Sequence, residues 1–235
     1  MNNLTITNES DIEEVVVEED MILVIELEEV ERSLTINVMP NACLRVFDCG
    51  DRTHNNITYN IDNNCNVIVN KLSKDSCDNV TINVNDRDSV VDFHNSIINY
   101  GKNEYKVTVN HKVGNSNSRI VNHAINVNDE TFKFIVDGVI TKDATDTKLR
   151  QDNKIINLKE GKSFILPNLI VDNSEIEAEH AAYIGYFDED KLFYLESRGI
   201  NSKDAEGLMI KAFLLNNMEL EEKERDIFIA KIENM

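Results

Sequence analysis

From residue 34 to about residue 180 the chain is one long succession of short β-like runs, with few hairpin signals between them. The runs fall near 34–38, 42–48, 56–61, 66–72, 79–85, 89–98, 105–113, 118–127, 131–140, 147–157, 163–172 and 175–180. Thr81-Ile82-Asn83-Val84-Asn85 and Lys106-Val107-Thr108-Val109-Asn110 alternate with period two, as a strand with one buried face does. Run starts recur every ~10–14 residues, the rhythm of a sandwich, a barrel or a stacked solenoid. Asn-Gly and Asp-Gly mark tight hairpins, and Asp137-Gly138 falls inside a run rather than between two. The breaks are instead Asn/Asp clusters such as Asp62-Asn63-Asn64 and Asn126-Val127-Asn128-Asp129. Asn tolerates left-handed backbone, so it can turn corners in a chain with only 8 Gly and 2 Pro. Many strands with few reversals favour a parallel β-helix, whose rungs advance by corners.

Two segments differ from this body. The stretch from Met1 to Glu31 carries eleven acids and no base, more than half of the formal net charge of −19. Within it Val15–Val17 and Met21–Ile25 read as one or two strands with an acidic outer face, a solvated edge that repels other edges. After residue 185 the pattern turns helical. Phe187 precedes Asp188, an N-cap, and Leu192 lies four positions on, as in a hydrophobic staple. That helix stops at Gly199. Asn201 or Ser202 caps a second helix, with Ala205, Leu208, Met209, Ala212, Phe213 and Leu215 as its apolar face. A third helix runs from about 219 to 232 with Leu220, Ile227, Phe228 and Ile232. The expected organisation is an acidic N-terminal segment (1–32), a β-helix core (33–184) and a helical C-terminal domain (185–235).

The charge also limits function. With 43 acids against 24 bases, neither a nucleic-acid phosphate surface nor an anionic membrane is an expected partner. No apolar stretch approaches a membrane span, and MNNLTITNES lacks the basic and apolar regions of a signal peptide, so a cytoplasmic location is expected. Cys43, Cys49, Cys65 and Cys77 form no C-x-x-C, which leaves a zinc ribbon or redox pair unsupported. Free cysteine is a small buried hydrophobe more often than a ligand. No P-loop and no G-x-S-x-G occurs, so neither a nucleotide bound by this chain nor a hydrolase triad is expected. His180 has a richer setting than the other four histidines. It follows Glu175, Glu177 and Glu179, which share one strand face while His180 points to the other. Imidazole and carboxylate together are competent iron ligands. An acidic solvent face ending a strand explains the same residues.

From about residue 105 onward the sequence resembles the SufB/SufD family, the scaffold subunits of the SUF iron–sulfur cluster assembly system. The likeness is carried by His180, Ile184-Gly185, Asp188-Glu189-Asp190, the stretch Leu192 to Ile200 (LFYLESRGI), Asp204-Ala205 and Lys211-Ala212-Phe213. His111 with Ser116 and Ser118, Val136–Ile140, and Pro167–Val171 are similar to family segments further upstream. The resemblance implies a right-handed parallel β-helix with a small α-helical C-terminal domain, a non-enzymatic scaffold that pairs through its β-helix as a homodimer or a SufB/SufD-type heterodimer. It implies a SufC-like ABC ATPase as partner, docked near Phe193, Tyr194, Arg198 and Phe213. It implies a transient iron or cluster held by His180 with Glu179, Glu177 or Asp152. Counted back from Pro167, the SufB-type cysteine position falls on Asp152, preceded by Gln151, and the SufB-type acid after the histidine falls on Ala181. The chain therefore leans toward SufD, or toward a minimal homologue. Two other functions compete: a structural regulator of the ATPase that holds no cluster, and a carbohydrate-active β-helix enzyme. The absence of Trp and the low aromatic content of 6% weigh against the last.

Overall fold

A computed structural model describes residues 1–216 and 218–235. Among these residues fifteen strands form two fully parallel sheets, and three helices follow. β1 (Asn2–Thr7), β3 (Met21–Glu28), β5 (Cys43–Asp51), β7 (Asn66–Lys74), β9 (Val90–Asn99), β11 (Asn117–Asn126), β13 (Thr147–Asn157) and β15 (Ile176–Gly185) lie side by side in chain order. β2 (Glu14–Val17), β4 (Ser33–Val38), β6 (Asn56–Ile61), β8 (Asn79–Val84), β10 (Asn103–His111), β12 (Phe132–Ile140) and β14 (Ser163–Val171) make the second sheet. Successive strands alternate between sheets and each pairs with the strand two places on. That is a two-sheet parallel β-solenoid, not a stack of hairpins. Residues 1–32 supply β1, β2 and β3, hydrogen-bonded into the same sheets as the rest.

The register makes columns. One inward column on the first sheet runs Leu4, Leu23, Val46, Val69, Phe93, Ile120, Gln151, His180. Opposite it runs Val15, Ile36, Tyr59, Ile82, Val109, Gly138, Leu169. Such columns form the main hydrophobic core. Parallel coils also stack like on like, so polar side chains bond along their columns. Asn37, Asn60, Asn83 and Asn110 bond one to the next at 2.9 Å on the outer face. Inside, Asn95 donates to Asn122 (3.2 Å) and Asn122 to Asn153 (2.8 Å). The corners use left-handed backbone at Glu29, Asn41, Arg52, Asn64, Asp75, Asp88, Asn115 and Asp146. Asn thus turns three of these eight corners, and Asp turns three more.

The helices are α1 (Glu189–Ser197), α2 (Ser202–Leu215) and α3 (Glu222–Glu233). Asp188 caps α1 by accepting from the Asp190 amide, and Asn201 caps α2 by accepting from the Asp204 amide. Gly199 takes φ +88°, the left-handed stop after α1. α2 and α3 lie over the outer face of the first sheet. Ile210, Leu214, Met218, Phe228 and Ile232 cover Phe47, Leu72, Ile98, Ile125 and Ile156 in a second core. The buried side of α2 is Ala205, Ile210 and Leu214, which corrects the face expected from spacing. Nearly every residue from Leu208 to Leu215 is apolar, so period alone could not select a side.

Candidate functional site

The last coil carries His180, Glu177 and Glu179, and Asp152 lies one coil before it on β13 (Thr147–Asn157). β14 and β15 end the two sheets, and each leaves one edge unpaired. Their side chains are correspondingly open: Phe164, Leu166, Ile170, Val171, Tyr183 and Ile184 are all exposed. His180 lies on this coil, in the inward column directly after Gln151, and is exposed because no further coil covers it.

The predicted carboxylates stand on the other side of the sheet. Glu177 and Glu179 project outward, where Lys148 Nζ meets Glu177 at 3.0 Å and Arg150 Nε meets Glu179 at 3.2 Å. Asp152 also faces outward, opposite Ala181 in register, with Lys154 Nζ at 2.8 Å. These pairs are at least partly exposed and individually weak, so the carboxylates can still exchange partners. The strand pleat nevertheless keeps all three off the face that carries His180. Gln151, not Asp152, is the residue stacked beneath His180. Among the described residues no three His, Cys, Asp or Glu side chains converge as a metal site. A groove of about 750 Å³ crosses the starts of β9, β11, β13 and β15, with Asp92, Arg119, Arg150 and Glu179 along one column of its floor.

The tail divides into a fixed and a free part. Polar groups of the sheet fasten α2 and the segment after it. Ser96 Oγ donates to the Leu214 carbonyl (2.5 Å), and His123 Nδ1 lies 2.9 Å from the Phe213 carbonyl. These are the carbonyls a helix leaves open at its C-terminus. Arg45 binds Glu221 (2.9 Å), Glu224 (2.5 Å) and the Glu219 carbonyl (2.9 Å). The Phe213 ring stacks on His123 at 4.6 Å and meets Phe187 edge-on. Burial pushes the His123 imidazole below its ordinary range, so it sits there neutral. α1, in contrast, has no buried residue. Phe193 is 71% and Tyr194 56% exposed, and the Arg198 guanidinium lies 5.1 Å from the Tyr194 ring centre. Three of the four residues expected at a partner surface are therefore together at α1 and its C-cap, while Phe213 belongs to the packing beneath α2.

Two polar centres lie in the interior, and neither the first centre nor the burial of the second, where His111 meets Ser118, could be read from the sequence. Lys71 is buried with Asp48 at 2.7 Å and Asp78 at 3.0 Å. Burial works against the charge of Lys71, but the carboxylates of Asp48 and Asp78 more than restore it, so it stays a cation well above the usual lysine range. His111 Nε2 lies 2.7 Å from Ser118 Oγ, and burial lowers its pKa to about 4. The signal that could have found the first centre is the repeat itself: Asp48 and Lys71 stand one coil apart in the same inward column.

Residues 35–213 match the family described as SUF system FeS cluster assembly, SufBD core domain. The iron-sulfur cluster assembly protein SufD of Bacillus subtilis is 29% identical over 138 residues, covering 58% of this chain and 29% of the relative. SufD of Escherichia coli is 30% identical over 138 residues, 56% of this chain and 31% of the relative. A SufBD family protein of Mycobacterium leprae is 37% identical over 82 residues, 34% of this chain and 21% of the relative. The chain spans less than a third of the length of these relatives. No helix among the described residues is long and apolar enough to cross a membrane. With the SufBD core profile matched across most of its length and laid out as a parallel β-solenoid, the chain belongs to the SufB/SufD family of the SUF iron–sulfur cluster assembly system.

Proposed function

We propose that this chain is a non-enzymatic, cytoplasmic scaffold subunit for iron–sulfur cluster assembly. It pairs with a second copy, or with another SufB/SufD-type chain, through the open last coil. It recruits a SufC-like ABC ATPase through the helical tail, and His180 contributes one ligand to a transient iron or nascent cluster held between the paired chains. The observation that carries this reading is the last coil itself. It joins unpaired sheet edges, exposed apolar side chains and an exposed imidazole on one end of the molecule, and it leads directly into α1 with its free Phe193 and Tyr194. Exposed strand edges are templates for pairing with another chain, and neutral imidazole suits iron. Iron or cluster is cargo here, not a resident group, and one chain offers it a single inward ligand; the remainder comes from the partner.

Mixing the chain with a SufC-like ATPase tests docking: co-elution is expected, and it should be lost in a Phe193→Ala, Tyr194→Ala double variant whose solenoid is intact. Absence of any complex would sink the ATPase arm. Anaerobic reconstitution with iron and sulfide tests the cargo arm, with His180→Ala expected to hold less iron than the parent. A second reading, an ATPase regulator without cargo, is favoured by the outward pairing of Glu177, Glu179 and Asp152 with Lys148, Arg150 and Lys154. It predicts ATPase binding with iron retention equal in the parent and in His180→Ala.

A further inference from the structure

Gln151 is fully buried, yet among the described residues neither its amide oxygen nor its amide nitrogen has a hydrogen-bond partner. Burying an unsatisfied amide is costly, and an apolar side chain of similar size would avoid the cost. The five positions before it in its column, Leu23 to Ile120, are indeed all apolar. The fold also makes room for it. Across the interior, a Cβ on Gly138 would stand 2.8 Å from Gln151 Nε2 and 2.5 Å from Leu149 Cδ2, closer than real Cβ contacts allow. Above it, at the ~4.8 Å spacing of neighbouring strands, the next residue in register is His180. The inward residues flanking His180 on β15 are Ala178 and Ala182, which offer the amide no side-chain partner.

We infer that Gln151 is a positioning residue for His180. Its amide oxygen accepts a hydrogen bond from one ring N–H when the imidazole turns down over the interior. That fixes the tautomer and leaves the other nitrogen, with its lone pair, facing the open end. A ligating histidine is commonly oriented through its second nitrogen in this way. Gly138 is the clearance that lets the amide sit beneath the ring. The inference rests on reading His180 as a ligand for its purpose, but the contact itself is present or absent without metal.

The test uses the metal-free full chain labelled with ¹⁵N-histidine, with the His180 ring signals identified by their loss in His180→Ala. Long-range ¹H–¹⁵N spectra report which nitrogen is protonated. The parent should show one dominant His180 tautomer. Gln151→Leu should shift the tautomer ratio roughly tenfold toward that of free imidazole, the size of one ordinary hydrogen bond. Gly138→Ala, which displaces the amide without removing it, should move the ratio the same way and serves if the first variant does not fold. A free-imidazole mixture in the parent, or an unchanged ratio in either folded variant, would overturn the inference. Cobalt(II) titration of the same proteins separates the two ideas: cobalt affinity indifferent to His180→Ala removes the ligand role and leaves the tautomer result standing.

Discussion

Lys71 shows how far one buried side chain can govern its neighbours. It is flanked by Asp48 and Asp78, and Asp78 also accepts from Thr53 Oγ1 (2.9 Å) and the Asn55 amide (2.7 Å). Removing one member of a buried ionic cluster strands the others. Lys71→Met should therefore lose about 3–5 kcal/mol in urea unfolding. Adding Asp48→Asn and Asp78→Asn should recover much of that loss, because no uncompensated charge remains. A single variant as stable as the parent would contradict the assignment of charge. His111 acts through pH instead. Its folded pKa of about 4 lies below the ordinary value, so between these two values the unfolded chain binds a proton that the folded chain refuses. Stability contributed by neutral His111 is whole above the ordinary value and falls away as pH drops toward 4. At pH 5 the loss should be about 2 kcal/mol relative to pH 8, and His111→Gln should flatten that part of the profile even if its baseline differs. The depth of neither centre was legible in the sequence: Lys71 carried no signal there, and His111 stood beside Ser118 only through a family likeness that says nothing of burial. The one-coil step from Asp48 to Lys71, and the Thr-x-Asn triplets at 35–37, 58–60 and 81–83, hold the register that would have revealed the first.

Strands were legible because alternation and Asn/Asp breaks are local signals. Each of the twelve runs read between 34 and 180 has its strand, though β15 continues to Gly185, beyond the point where alternation with glutamate stops. What could not be read was which sheet each strand joins. The pairing partner lies a whole coil away, and the coil lengthens along the chain, from the short step between Val46 and Val69 to the longer one between Ile120 and Gln151. The opposition of His180 to Glu177 and Glu179 followed from period two. The stacking of Gln151 beneath His180 required the register. Helices behaved differently: caps and stops at Asp188, Gly199 and Asn201 were local and visible, whereas the docked face of α2 was decided by the sheet beneath it. The seat of α3 is the Phe47–Phe228 stack, with ring centres 4.5 Å apart, and the contact of Lys231 Nζ with Cys49 Sγ at 3.5 Å. Phe228→Ala removes the largest buried side chain of α3 and should cost about 3–5 kcal/mol of local packing. Because the solenoid has its own core, the expected result is loosening of α3 alone. Hydrogen exchange should accelerate in residues 222–233 but not in β5 to β11, and a thiol reagent should reach Cys49 faster. Uniform acceleration across both regions would mean that tail and solenoid unfold as one unit.

Along the solenoid axis the charge is graded. Eleven acids and no base lie between Met1 and Glu31, whereas the stretch from Tyr105 to Gly185 holds eleven acids and ten bases. Two copies brought together by their N-terminal coils would repel, and the repulsion would deepen as salt is lowered. The other end has no such barrier. Its edges are unpaired, and Phe164, Leu166 and Ile170 project from β14, with Ile135 and Val139 of β12 beside Leu166 and Ile170 and the Asn168–Asp137 pair between them, an apolar surface with a polar break next to a free strand. Charge and apolar exposure thus favour the same orientation, with last coil against last coil and the two tails carried near the junction by their attachment to β15. A twofold arrangement of this kind closes on itself, and the edges that remain, β1 and β2, lie in the acidic N-terminal coils that repel further copies. Two consequences can be measured by light scattering on the eluting protein. The parent should be a dimer whose dissociation changes little with ionic strength, because apolar contact and main-chain bonds dominate. Leu166→Lys with Ile170→Lys, both on the outward face and away from the core, should give a folded monomer that still binds the ATPase through α1. A double variant that stays dimeric would place the junction elsewhere on the molecule.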